Sequence, residues 1–179
     1  MRRRRVFGVL WGAWCVLAGC ALAPKGVPLP AQRPALEGPD PRPYGAFVEM
    51  SDDHVGLYLA RDIADGLGFE PSRWAFRNPE MRFWLHKTGP WQFSADYYVP
   101  KNTLEKTNRL TVSFQVNGHL LGRATSIREG DYHFRKPVPP EWLRTDRPTL
   151  VAMTPDEVWV DPADGSVISF LLHRAGFLP

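Results

Sequence analysis

Two aromatic side chains stand out because the alternation of their own segments places them among polar residues. Trp84 lies between Arg82 and His86, and Tyr98 is likewise out of phase with its apolar neighbours. Alternate side chains of a strand point to opposite faces, so these four residues are predicted to face solvent. An exposed ring beside polar groups suits a sugar, whose C–H face stacks while its hydroxyls form hydrogen bonds. We therefore take Trp84, Tyr98, Arg82 and His86 as candidate ligand-binding residues, although tryptophan in a small sandwich is more often core.

One acidic segment, 161–165, contains two carboxylates that we consider as a calcium site. Asp161 and Asp164 are three residues apart before Gly165, and two carboxylates on a turn can supply oxygens to calcium. A plain turn explains the same residues, with Asp bonding its own backbone and Gly taking a positive φ, and we prefer it. The five histidines show no metal-binding spacing, so a histidine site needs distant strands. We expect no metal.

Sequence signatures of catalysis are missing. There is no Gly-x-Ser-x-Gly elbow and no phosphate-cradling glycine loop. A carboxylate pair for glycoside hydrolysis need only converge in space. The acids that could supply such a pair are Glu49, Asp52, Asp96, Glu105 and Asp156. Because most surface acids only interact with solvent, we expect no enzyme and no cofactor.

Period-two alternation dominates the chain from Met81 onward. The segments 91–99 and 110–116 alternate apolar and polar residues, which predicts half-buried strands. Asn117-Gly118 then predicts a tight hairpin, since both positions tolerate positive φ. Breakers separate further predicted strands at 46–50, 56–61, 133–136, 150–154, 157–160 and 167–174. One helical turn is predicted at 140–143, with Pro at its first position.

Eight or nine short strands with almost no helix predict an all-β, antiparallel jelly-roll β-sandwich. The inward phases of these strands predict a core of Phe83, Phe93, Val112, Phe114, Val116, Leu121, Phe170 and Leu172.

Five segments occur in an order that carries a resemblance: 68–74, 81–83, 111–118, 137–143 and 168–170. This order resembles small jelly-roll domains of the galactose-binding-like type, which include carbohydrate-binding modules. The resemblance implies the jelly-roll fold. Such domains occur free, in lipoproteins and on glycan-handling membrane proteins, so it implies little about function.

The chain begins with a charged run, Arg2 to Arg5, and an apolar stretch of about 12 residues, too short for the ~20 that span a membrane. Leu17-Ala18-Gly19-Cys20 follows and resembles the lipobox of bacterial lipoproteins. The resemblance implies cleavage before Cys20, lipidation of that cysteine and acylation of its new amino terminus. Ala21 implies passage to the outer membrane, facing the periplasm, if the host has two membranes.

Removal of residues 1–19 changes the charge of the chain. Four arginines leave, so 18 basic residues face 19 acidic ones. The basic pI therefore belongs to the signal, and we expect no nucleic-acid partner. Cys15 also leaves and Cys20 carries lipid, which excludes disulfides, Cys-ligated zinc and a cysteine nucleophile.

The predicted organisation has three parts: a signal peptide (1–19), a lipidated tether (20–43) and a β-sandwich domain (44–179). The tether holds seven prolines and no aromatic residue, so it favours extended structure. We expect a monomeric, non-catalytic binding module for envelope or secreted glycan on a lipid anchor. The alternatives are a protein-interaction subunit of an envelope assembly and, third, an enzyme acting on envelope glycans.

Overall fold

A computed structural model describes residues 45–68, 71–106, 108–163 and 165–179. The predicted signal peptide, Cys20 and the tether lie outside the described residues, as does Asp164. The described part contains the strands β1 (Phe47–Glu49), β2 (Leu59–Ile63), β3 (Arg73–Phe83), β4 (Trp91–Val99), β5 (Leu110–Val116), β6 (His119–Ser126), β7 (Gly130–Val138), β8 (Thr149–Pro155), β9 (Trp159–Val160), β10 (Val167–Ile168) and β11 (Phe170–Leu178).

Helical structure in the described part is limited to three short elements. They are the helix α1 (Lys101–Leu104) and two 3-10 turns, Val55–Leu57 and Pro140–Trp142. The second turn is the one predicted from Pro140, which stands at its start. None of the described helices is long and apolar enough to cross a membrane.

The strand order is that of a jelly roll. β3 joins two antiparallel sheets, because residues 73–75 pair with β11 and residues 80–83 pair with β8. Sheet I contains the start of β3, β11, β4 and β7, with β1 also on β11; sheet II contains the end of β3, β8, β5 and β6. The chain passes from sheet to sheet between the end of β3 and β4, β4 and β5, β6 and β7, β7 and β8, and β8 and β11. The predicted all-β jelly-roll sandwich is confirmed.

The core lies between the inner faces of the two sheets. Seven of the eight predicted core residues are buried, and Leu121 is half-buried against the same cluster. Rings from both sheets meet there: Phe114 of β5 stacks on Phe134 of β7 with centroids 3.8 Å apart, and Phe83 meets Phe177 edge-on at 5.4 Å. Such aromatic contacts add roughly 0.5–1.5 kcal/mol each beyond burial.

β3 begins earlier than the alternation predicted and ends at Phe83. Residues 77–80 are Arg-Asn-Pro-Glu, which hides a strand from a pattern-based reading. They coincide with the point where β3 leaves β11 and joins β8, so polar residues and a proline are tolerated. The Asp62 carboxylate accepts the backbone N–H of Asn78 at 2.8 Å there.

The hairpin between β5 and β6 confirms the Asn-Gly prediction. Asn117 and Gly118 have φ of 48° and 83°, the positive values of a type I′ turn. The Asn117 side chain also accepts the Leu150 N–H at 2.9 Å, which ties the turn to β8.

Candidate functional site

A row of charged side chains crosses the outer face of sheet I. Strand register places Glu49 of β1 beside Arg174 of β11, Arg174 beside Asp96 of β4, and Asp96 beside His133 of β7. Arg174 donates from Nε to Asp96 at 2.5 Å, His133 bonds the other Asp96 oxygen through Nδ1, and Arg174 lies 4.0 Å from Glu49. Both oxygens of Asp96 are therefore engaged.

These contacts decide the ionisation of Asp96. Burial raises its pKa, but the hydrogen bonds and charges of His133 and Arg174 outweigh burial and hold the pKa below its usual value. Asp96 in turn raises the pKa of Arg174 through their hydrogen bond and charge interaction. Asp96 and Arg174 thus stay ionised across the neutral range.

A β-bulge on β11 adds one side chain to this face. The register against β4 pairs Leu172 with Tyr97 and Arg174 with Asp96, so His173 is the extra residue. Its ring lies between two neighbours, with Nδ1 2.7 Å from the Ser72 hydroxyl and Nε2 3.0 Å from Asp131. One imidazole thus joins the residue before β3 to a residue of β7.

Two hollows adjoin at this bulge and share Pro71 and His173. The first, the ionic hollow, has a volume of about 450 Å³. It is lined by Glu49, Pro71, Asp96, Asp131, Tyr132, His133, His173 and Arg174. The second, the aromatic hollow, has a volume of about 440 Å³. It is lined by Pro71, Ser72, Trp74, Tyr98, Pro100, Leu171 and His173.

Two rings of the aromatic hollow, Tyr98 and Trp74, each contact a residue that does not line it. The Tyr98 hydroxyl donates to Glu129 at 2.5 Å, and this bond, with the nearby charges of Glu129 and Asp131, raises the tyrosine pKa. The Trp74 ring packs against Gly68 so closely that a Cβ there would lie 2.4 Å from its Cδ1. Gly68 is therefore the residue that leaves room for Trp74.

The four predicted ligand-binding residues separate into two places. Tyr98 lines the aromatic hollow, level with Trp74 at the start of β3, because both neighbour Leu171. Arg82, Trp84 and His86 lie at the other end of β3, where Arg82 donates to the Leu57 carbonyl at 2.8 Å. Trp84 is half-buried one residue past the strand. The structure does not bring these three residues together with Tyr98.

The five acids considered for glycoside hydrolysis also separate. Glu49 and Asp96 both line the ionic hollow, with Arg174 between them. Asp52 and Asp156 accept backbone N–H groups of His54 and Thr111, each at 2.7 Å. Glu105 lines a different hollow, beside Trp159.

The acidic segment that begins at Asp161 has the hydrogen bonds of a plain turn. Asp161 accepts the Ala163 N–H on its side chain at 2.8 Å, its backbone pairs with Gly165 and Ser166, and Gly165 has a φ of 74°. Asp164 lies outside the described residues. Within the described ranges, no group of three or more His, Cys, Asp or Glu residues could hold a metal ion.

Several residues of this face were not among the sequence candidates. His173, Asp131 and Arg174 meet only because a bulge aligns β11 with β4 and β7, and a bulge leaves no signature in a single sequence. Trp74 carried a weak signal, since it stands beside Arg73 in a segment rich in Gly and Pro.

Comparisons with known proteins add little to this description. No protein-family model matches the chain, and no curated protein is similar enough to count as a relative. One similar structure is the CBM36-1 domain of a multidomain xylanase from the hindgut metagenome of Trinervitermes trinervoides (11% identity, 74% of this chain, 97% of that chain, TM-score 0.40). Another is a Paenibacillus cycloisomaltooligosaccharide glucanotransferase (11% identity, 74% of this chain, 18% of that chain, TM-score 0.35). Both scores are low, so the fold rests on the strand order and the function on the site.

Proposed function

We propose that the domain is a glycan-binding module and that its binding surface is the outer face of sheet I. One observation carries this proposal: the aromatic hollow and the ionic hollow share Pro71 and His173 and so form one continuous surface. A pyranose ring needs both parts, since its C–H face packs on an aromatic ring and its hydroxyls require donors and acceptors.

The polar groups of the surface match sugar hydroxyls. The side chains of Asp131 and Glu49 are 81% and 64% exposed, so their carboxylates can accept hydroxyl protons. Arg174 uses Nε for Asp96 and keeps further guanidinium N–H groups for a ligand. These groups lie on four strands of one sheet, which fixes their spacing before a ligand arrives.

A soluble glycan panel tests this proposal. The purified full-length chain in detergent is titrated calorimetrically with neutral β-linked oligosaccharides and with envelope polysaccharide. We expect binding, and we expect Asp131→Asn to weaken it several-fold while Asp156→Asn, a change outside this surface, leaves it unchanged. Absence of heat from every glycan at millimolar concentration contradicts the proposal. In that case a pull-down from envelope extract tests the protein-interaction alternative.

The proposed setting is a membrane surface. Lipid on Cys20 would anchor the chain, and the Pro-rich tether would hold the domain away from the lipid; its length of 24 residues corresponds to roughly 70 Å when extended. In a host with two membranes we propose the outer membrane, on its periplasmic side. Cys20→Ala should abolish incorporation of labelled fatty acid, and equal labelling of wild type and variant contradicts the anchor.

A further inference from the structure

Ser72, His173 and Asp131 form a continuous chain of hydrogen bonds on the outer face of sheet I. The Ser72 hydroxyl lies 2.7 Å from His173 Nδ1, and His173 Nε2 lies 3.0 Å from Asp131 Oδ1. A carboxylate can only accept, so Nε2 carries the imidazole proton and Nδ1 accepts the serine proton. A nucleophile, a base and a group that orients the base are thereby placed in sequence.

The position of each residue suits an ester substrate. Ser72 lines the aromatic hollow, Asp131 lines the ionic hollow, and His173 lines both. An ester whose scissile acyl–oxygen bond lies beside His173 would place its acyl group against Trp74 and Leu171. Its alcohol would then lie among the polar groups proposed above to hold a sugar.

We propose that this chain of residues is an acyl-ester hydrolase site acting on acyl-substituted glycans. The proposal departs from the expectation of a non-catalytic domain, and its substrate class rests on the proposed glycan binding. The Ser72 oxygen attacks the acyl carbon while its proton passes to His173 Nδ1. The sugar alcohol leaves with that proton, and the acyl group stays on Ser72.

Water completes the reaction. His173 takes a proton from a water molecule that attacks the acyl-serine, and the carboxylic acid leaves as Ser72 regains its proton. Asp131 acts as a positioning residue, since it holds the imidazole in the required tautomer. The Asp131 side chain is 81% exposed, so water weakens its effect on the imidazole and we expect slow turnover. Ser72 is only 2% exposed, so we expect the site to accept only small acyl groups.

The experiment uses the full-length chain in detergent, a fluorophosphonate probe and p-nitrophenyl acetate. We expect the probe to label Ser72 selectively in the unmodified protein, as located by peptide mass spectrometry. Hydrolysis above the protein-free rate should fall at least about tenfold in Ser72→Ala and His173→Gln. Ser94→Ala is the matched control, because Ser94 is a buried serine of β4 on the same sheet, and it should retain the full rate.

The hydrolysis rate and the melting temperature of Asp131 variants test the positioning role of this residue. Asp131→Asn should lower the rate without lowering the melting temperature, and Asp131→Glu should restore most of it, which a purely structural role does not require. Labelling without preference for Ser72 overturns the proposal, and so does unchanged hydrolysis in Ser72→Ala. Because labelling is measured on the unmodified chain, an unfolded variant leaves the test intact. Glycan binding without labelling overturns the hydrolase alone, whereas labelling without glycan binding overturns the binding function and its substrate class.

Discussion

The two outer faces of the sandwich are built from the same kind of strand and differ in their side chains. On sheet II, polar residues of β5 and β6 pair with one another: the hydroxyls of Thr111 and Thr125 lie 3.1 Å apart, and Arg123 donates to Ser113 at 3.3 Å. On sheet I, charged and aromatic residues bond across four strands and surround two hollows. The pairs on sheet II join the two strands of one hairpin, whereas the charged row on sheet I joins four strands.

Each sheet carries a β-bulge, and the extra residues differ: Leu121 of β6 is apolar and packs against the core, whereas His173 of β11 is polar and lies on the outer face. Without His173, Leu172 and Arg174 would be neighbours that alternate inward and outward, in continuous register with Tyr97 and Asp96. The added residue places the His173 side chain on the outer face, where it lies between Ser72 and Asp131. The comparison indicates that the side chain of the inserted residue matters more than the bulge itself.

Removing the bulge is expected to have the largest effect. Deletion of His173 restores regular pairing of β11 with β4 and removes the link between Ser72 and Asp131. We expect the β-rich circular dichroism spectrum to remain, the free energy of unfolding to fall by about 1–2 kcal/mol, and glycan binding to be lost in calorimetry. Retained binding by the folded deletion variant would show that the bulge is irrelevant to the site.

A pair of aromatic substitutions compares the two faces directly. Tyr98→Ala on sheet I should weaken glycan binding about tenfold, close to 1.4 kcal/mol, because a stacking ring is lost. Trp84→Ala, at the sheet II end of β3, should leave affinity unchanged. Because Trp84 is half-buried, its loss should cost less stability than the ~3–5 kcal/mol of a fully buried tryptophan. Weakened binding in Trp84→Ala with unchanged binding in Tyr98→Ala would instead favour the prediction from alternation that Trp84 contacts the ligand.

The smallest effect concerns the charged row. The pKa of Asp96 is lower in the folded protein than in the unfolded chain, so its ionised form stabilises the fold above the usual pKa of 3.8. That stabilisation is lost as pH falls below 3.8 through the lowered pKa. Asp96→Asn should therefore reduce stability at pH 7 by about 0.5–1 kcal/mol, and the difference should shrink as pH falls below 3.8. Urea unfolding at several pH values measures both, and a difference independent of pH contradicts the ionic row.

Most of the sandwich was predictable from local patterns. β5, its hairpin and the buried phase of β4 follow from alternation and an Asn-Gly pair, because each is set by residues close in sequence. The first half of β3 was not predictable, since its polar residues make sense only where the strand passes between sheets. Of the residues that line the two hollows, the sequence indicated Tyr98 as a candidate for ligand binding and Glu49 and Asp96 as candidate acids.

The sequence by itself determined most of the strands, the hairpin and the inward residues, because side-chain alternation and turn propensity act over a few residues. It also predicts the signal and the lipid attachment at Cys20, which lie outside the described residues. Only the tertiary structure decided which outward residues meet. Ser72, Asp131 and His173 are far apart along the chain, and their approach depends on strand register and on one bulge. Register is set by the packing of the whole sandwich, so no local pattern contains it.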